Sequence, residues 1–147
     1  MIPGTKHLLP QHLYPVLGEI ILKIHESAEN YLETILMISE RQPQVRSIDI
    51  VNELEFSKPS VSIAMKNLRE NGYIQMDRDG YITLTGQGQV IAETMYERHK
   101  FLSQWLIRLG VDEQTAVSDA CRIEHVISAK SFEAIKKHVE KAALSVQ

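Results

Sequence analysis

Apolar positions recur at intervals of three and four over most of this chain, and at intervals of two only in one short central stretch. Ile24, Ala28, Tyr31, Ile35 and Ile38 define a helical face. Ser27 is a candidate N-cap for a helix running to about Glu40, with an earlier start near Val16 as the alternative. Arg41–Gln44, containing Pro43, breaks the pattern. A short helix is expected over Ser47–Leu54, capped by Ser47 and carrying Ile48, Val51 and Leu54 on one side. After the turn Glu55–Lys58, Pro59 opens a second helix, where its missing N–H costs nothing. Val61, Met65 and Leu68 give that helix a buried face, and Asn71-Gly72 ends it. Tyr73–Met76 and Tyr81–Leu84 alternate as strands around the turn Asp77–Gly80, whose Asp-Gly pair favours a hairpin. Beyond Gly86 the period is helical again. Ile91, Met95, His99, Leu102 and Leu106 lie on one face, Gly110 closes the helix, and two more follow at about Glu113–Ile127 and Ala129–Leu144.

Two short helices, a tight turn and a hairpin make a winged helix-turn-helix. The expected fold is therefore mainly α: an N-terminal winged helix-turn-helix with a two-stranded wing, followed by a helical domain. The expected division is an extension of unknown role at 1–26, the winged helix at 27–86 and the helical part at 87–147. In a winged helix the second helix of the pair enters the major groove with its N-terminal end. Ser57, Lys58, Pro59, Ser60 and Ser62 occupy that end, with Lys66 further along, Arg78 at the wing tip and Ser47 at the start of the first helix. Small hydroxyls and helix N-termini suit phosphates and bases. Winged helices also serve as protein-interaction modules. Arg41–Gly80 holds six basic and six acidic residues, so it is not a basic patch. Leu102, Trp105, Leu106 and Leu109 exceed the apolar surface one helix needs and are candidates for a dimer interface, with filling of the monomer core as the alternative.

Composition narrows the class. With 44% hydrophobic and 24% charged residues, the chain of 147 falls in the globular range. A net charge of −3 predicts no general adhesion to nucleic acid. No apolar run approaches membrane-spanning length. The single cysteine cannot form an internal disulfide, which fits a reducing cytoplasm. Met1–Gly18 carries Pro3, Pro10 and Pro15 and lacks the plan of a secretory signal. His7, His12 and His25 read as surface histidines.

The chemistry is concentrated in the C-terminal half. Cys121, Glu124 and His125 stand at i, i+3 and i+4, so they share one helix face. His99 lies on the preceding helix, and Glu33 and Asn30 on the first. Thiolate, imidazole and carboxylate from three helices can hold a divalent transition metal. Each residue also has a plainer role: a small buried apolar group, an interface hydrogen bond, a solvated charge. Catalysis is not expected. The H-E-x-x-H order, Gly-rich phosphate loops and a nucleophile elbow are missing.

Five stretches carry a resemblance: Glu29–Leu36 (ENYLETIL), Ser57–Ser62 (SKPSVS), Leu84–Gly88, Glu97–Lys100 and Ala120–Ser128 (ACRIEHVIS). From about Ser27 onward the chain resembles the diphtheria toxin repressor and manganese transport regulator family of metal-dependent repressors. That resemblance implies a winged helix joined to a helical dimerisation domain. It implies metal held by Glu33, His99, Cys121, Glu124 and His125, and a homodimer on a palindromic double-stranded operator, with no membrane and no small organic substrate. Cys121 is similar to the iron branch and the spacings from His99 to the manganese branch. The implied metal is Fe²⁺ or Mn²⁺, with Zn²⁺ or Co²⁺ able to bind in vitro. Asn30 departs from the methionine or aspartate usual there. A winged-helix regulator with a degenerate site and no metal control is thus the alternative. Ser103 and Val117 stand where the iron branch supplies further ligands, which implies no second site of that type. In the expected switch, Glu33, Glu124 and the Cys121 thiolate repel one another without metal and hold the first helix loosely.

Overall fold

The computed structural model describes residues 14–145, with side chains from His25 onward. Its elements are α1 (Tyr14–Arg41), α2 (Ser47–Leu54), α3 (Lys58–Glu70), β1 (Ile74–Met76), β2 (Ile82–Leu84), α4 (Gly86–Arg108), α5 (Glu113–Val126) and α6 (Ala129–Leu144). The chain is mainly α, with the winged helix-turn-helix first and the helical part after it. Residues 1–13, including His7 and His12, lie outside the described residues; His25 is exposed.

α1 takes the earlier of its two expected starts. It begins at Tyr14 and passes through position 26 unbroken, so Ser27 is an exposed mid-helix residue and not a cap. Pro15 lies in the first turn, where no intrahelical partner awaits its missing N–H. The cap of α2 also differs from expectation. Ser47 is the first helical residue and Arg46 holds the cap position; the Asp49 carboxylate reaches back and accepts from the Arg46 N–H at 2.8 Å. A carboxylate at that position both pairs the free N–H and suits the positive end of the helix.

In α3 the Ser57 hydroxyl accepts from the Ser60 N–H at 3.3 Å, and Pro59 sits in the first turn. The wing pairs β1 and β2 antiparallel, with Ile74 opposite Leu84, Gln75 opposite Thr83 and Met76 opposite Ile82. At its tip Asp77 Oδ1 accepts from the N–H groups of Asp79 and Tyr81, both at 2.9 Å, and Gly80 takes φ +83°. The Ile82 N–H donates to the Val45 carbonyl at 2.8 Å and ties the α1–α2 loop to the wing. α4 starts hard against the wing root. Thr85 caps it and donates its hydroxyl to the Gly72 carbonyl at 2.7 Å, while a Cβ on Gly88 would stand 2.0 Å from the Tyr73 carbonyl oxygen.

Two apolar clusters result. The larger joins Leu32, Ile35, Leu36 and Ile38 of α1 to Ile50, Val61, Met65, Leu68, Ile74, Ile82 and Ala92. The smaller joins Leu102, Ala120 and Phe132, with Phe101, Trp105, Ile123 and Ile127 against them. This corrects one expectation. Leu102 is fully buried within its own chain and is not available to a dimer interface. Trp105 and Leu106 are half-buried, while Leu109 remains 65% exposed. None of the described helices is long and apolar enough to cross a membrane.

Candidate metal centre

α4 packs against both α1 and α5, and the candidate ligands meet where these three helices converge. α1 supplies Glu33, α4 supplies His99, and α5 supplies Cys121, Glu124 and His125 from successive turns of one face. Their donor atoms form two triads that share Glu124. One is His99, Cys121 and Glu124; the other is Glu33, Glu124 and His125; within each, the donor atoms lie within 4.8 Å of one another.

Glu124 is the hub and is 0% exposed. Its Oε2 accepts from His99 Nδ1 at 2.9 Å, because an ionised carboxylate can only accept. Its Oε1 lies 3.3 Å from His125 Nε2, which is also 3.9 Å from Glu33 Oε2. Neither Glu124 Oε1 nor either His125 nitrogen makes a hydrogen bond. Unpaired polar atoms of this kind are costly in an interior and call for a partner. A divalent cation fits them: carboxylate, imidazole and thiolate are the donors that borderline transition ions take.

The backbone beneath the hub is clamped. Arg98 Nη1 donates to the Glu124 and Ile127 carbonyls, both at 3.1 Å, and its guanidinium lies over the Phe132 ring. Arg98 therefore supplies a donor to the otherwise open C-terminal turn of α5, next to the ligands. Ser103 turns its hydroxyl onto the His99 carbonyl at 2.7 Å, within its own helix, and Val117 is exposed.

Burial and the expected repulsion among these groups together set their protonation. Burial, then the Glu124 carboxylate beside it, pushes the Glu33 carboxyl well above the usual range, so it holds a proton at neutral pH. Burial would raise Glu124 too, but His125 and His99 outweigh it and keep this carboxyl ionised. Against the pull of its own burial, His125 is raised to about 9 by Glu124 and Glu29. Partial burial of the sulfur, and then the two carboxylates, raise Cys121 to about 11, although the residue has an exposed side. The metal-free cluster is thus a proton-filled network with one carboxylate facing one imidazolium.

The Asn30 backbone carbonyl accepts from the Thr34 hydroxyl at 2.7 Å. Glu29, one residue earlier, comes within 3.8 Å of His125 Nδ1. Sequence reasoning passed over Glu29, although its i, i+4 spacing from Glu33 puts both on one face.

The candidate DNA surface is presented separately. Ser57, Lys58, Pro59, Ser60, Ser62, Lys66 and Arg78 are all exposed, and Ser47 is half-buried at the start of α2. Ser57 and Ser60 already bond to each other at 2.7 Å. Lys66 lies 4.0 Å from Glu70.

Residues 23–87 match the family model for an iron dependent repressor N-terminal DNA binding domain. Residues 85–144 match the metal binding and dimerisation domain of the same proteins. An uncharacterized HTH-type transcriptional regulator of Methanocaldococcus jannaschii is 33% identical over 118 residues, covering 79% of this chain and 94% of that protein. The HTH-type transcriptional regulator MntR of Bacillus subtilis is 32% identical over 109 residues, covering 74% and 77%. Among solved structures, the manganese regulator SloR superposes with a TM-score of 0.69 at 26% identity, covering 77% of this chain and 53% of that one. A manganese-dependent transcriptional repressor in complex with manganese gives 0.71 at 26% identity, covering 77% and 52%. The chain spans about half the length of these two structures.

Proposed function

The chain belongs to the family of iron-dependent repressors and manganese regulators, and from that premise we propose that it is a metal-responsive transcriptional regulator. The observation that carries this is the buried, unpaired donor set around Glu124, built from helices that belong to both halves of the molecule. Glu33 would hold the ion from α1, His99 from α4, and Cys121, Glu124 and His125 from α5. Bound there, a divalent cation supplies the positive charge that lets Glu33, Glu124 and Cys121 be anionic together. Fe²⁺ and Mn²⁺ are the ions proposed, with Asn30 as a further, neutral oxygen donor from α1.

The opposite face of α1 packs into the winged helix through Leu32, Ile35 and Leu36, so the position of Glu33 is tied to that of α3. The N-terminal end of α3, with Ser57, Lys58, Ser60 and Ser62, then meets base edges and phosphates, and Arg78 reaches the backbone from the wing. The protein acts as a homodimer through exposed Leu109 and half-buried Trp105 and Leu106, on a palindromic operator whose half-sites lie ~34 Å apart. It works in the cytoplasm, on DNA, and catalyses no reaction. Residues 27–86 and 87–147 are proposed as the DNA-binding and metal-binding parts.

The test is binding to a duplex selected from a random pool by Mn²⁺-loaded protein. Affinity with saturating Mn²⁺ or Fe²⁺ should exceed that in chelator by about 5–150-fold, the range of a coupling of about 1–3 kcal/mol. Binding should weaken as salt rises. Equal affinity with metal and with chelator contradicts the reading.

A further inference from the structure

We propose that Glu29 is a positioning residue for the metal centre: its carboxylate takes the Nδ1–H of His125 and so leaves Nε2 facing Glu33 and Glu124. This rests on the metal reading above and adds a residue to it. The two nitrogens of His125 look in different directions. Nε2 is 3.3 Å from Glu124 Oε1 and 3.9 Å from Glu33 Oε2, whereas Nδ1 has Glu29 Oε2 at 3.8 Å. Nδ1 is buried and without a hydrogen bond. A ligand histidine nearly always donates its second N–H to a carboxylate, a carbonyl or a water, which fixes the tautomer and the ring plane. Glu29 is the carboxylate in place for that task. Its side chain keeps 21% of its exposure and so has room to close a gap of under ~1 Å to hydrogen-bond distance. The i, i+4 spacing to Glu33 means that one turn of α1 carries both the ligand and the group that aims its neighbour.

The experiment uses the full chain and Co²⁺ as probe, titrated anaerobically against a competing chelator and followed by visible absorption. Wild type is compared with Glu29→Ala and Glu29→Gln. Glutamine keeps an acceptor oxygen but not the charge. Glu29→Ala should weaken Co²⁺ by about 10–100-fold and alter the absorption bands, while Glu29→Gln retains most of the affinity. In Zn²⁺-loaded protein, the His125 Nδ1–H should be a slowly exchanging resonance in wild type and Glu29→Gln, and be lost in Glu29→Ala. Equal affinity in all three proteins overturns the proposal and leaves the metal centre standing. Equal losses in both variants also overturn it, because the charge alone would then be responsible. No Co²⁺ binding by wild type overturns the metal reading beneath it.

Discussion

Leu32 and Glu33 are neighbours on α1, yet the two sides of the helix they face are held by different physics. On one side Leu32, Ile35, Leu36 and Ile38 are packed into the large apolar cluster of the winged helix. On the other, Glu33 and Glu29 meet His125 across a contact made of carboxylates and an imidazole. Apolar burial hardly responds to pH or to ions. A buried carboxylate–imidazole contact responds to both, because its energy depends on which protons are present. The difference teaches where control can enter this fold. The winged helix is held by apolar packing, and its junction with α5 is where protons and ions can act.

The largest effect should come from the rigid side. Leu32→Ala should cost about 2–5 kcal/mol of stability by denaturant unfolding and leave metal affinity per folded molecule unchanged. Next is Arg98→Ala, which removes the clamp on the Glu124 and Ile127 carbonyls. It should cost about 1.5–3 kcal/mol and also weaken Co²⁺ binding, so that stability and affinity move together.

A graded effect follows from pH. His125 is raised from 6.5 to about 9, so its contribution is complete below its unfolded value and is lost as pH rises through about 9. Glu33 is raised from 4.5 and loses its contribution in the same direction. Glu124 is depressed and loses its contribution only in acid, below about 4.5. The melting temperature of metal-free protein should therefore fall between about pH 6 and pH 9, by circular dichroism with chelator present. A flat profile contradicts the proton-filled cluster.

The smallest stability cost sharpens the comparison most. Glu33 holds a proton in the fold but its carboxyl ionises on unfolding at neutral pH, so Glu33→Gln, neutral in both states, should cost no metal-free stability at pH 7 by denaturant unfolding. The same substitution should nonetheless strip most of the metal affinity.

Much of this was legible in the chain because local rules and tertiary needs agree. The hairpin at Asp77–Gly80, the start of α3 at Pro59 and the bounds of α4, α5 and α6 all follow from turn chemistry and helix-end signals. α1 was harder: Ser27 looks like a cap, but the apolar period continues on both sides of it, and packing carries the helix through. Leu102 was misjudged because a helix with apolar residues all round does not say which face turns inward; Phe132 and Ala120 decide that. The five metal-ligand candidates were brought together as expected from their spacing. Their protonation was not legible, since it arises from burial, which only the packed structure defines. Glu29 carries no signal in the sequence beyond its i, i+4 spacing from Glu33; only the packing of α5 brings His125 to it.

The central claim is that the Glu124 cluster is a metal centre. Anaerobic equilibrium dialysis with Mn²⁺, Fe²⁺, Co²⁺ and Zn²⁺ tests it without need of an operator, comparing wild type with the Glu124→Ala, His125→Ala double variant. The account predicts saturable binding at the cluster of wild type that the double variant loses. Binding that is no tighter in wild type than in the variant would contradict it and leave a winged-helix regulator with no metal control.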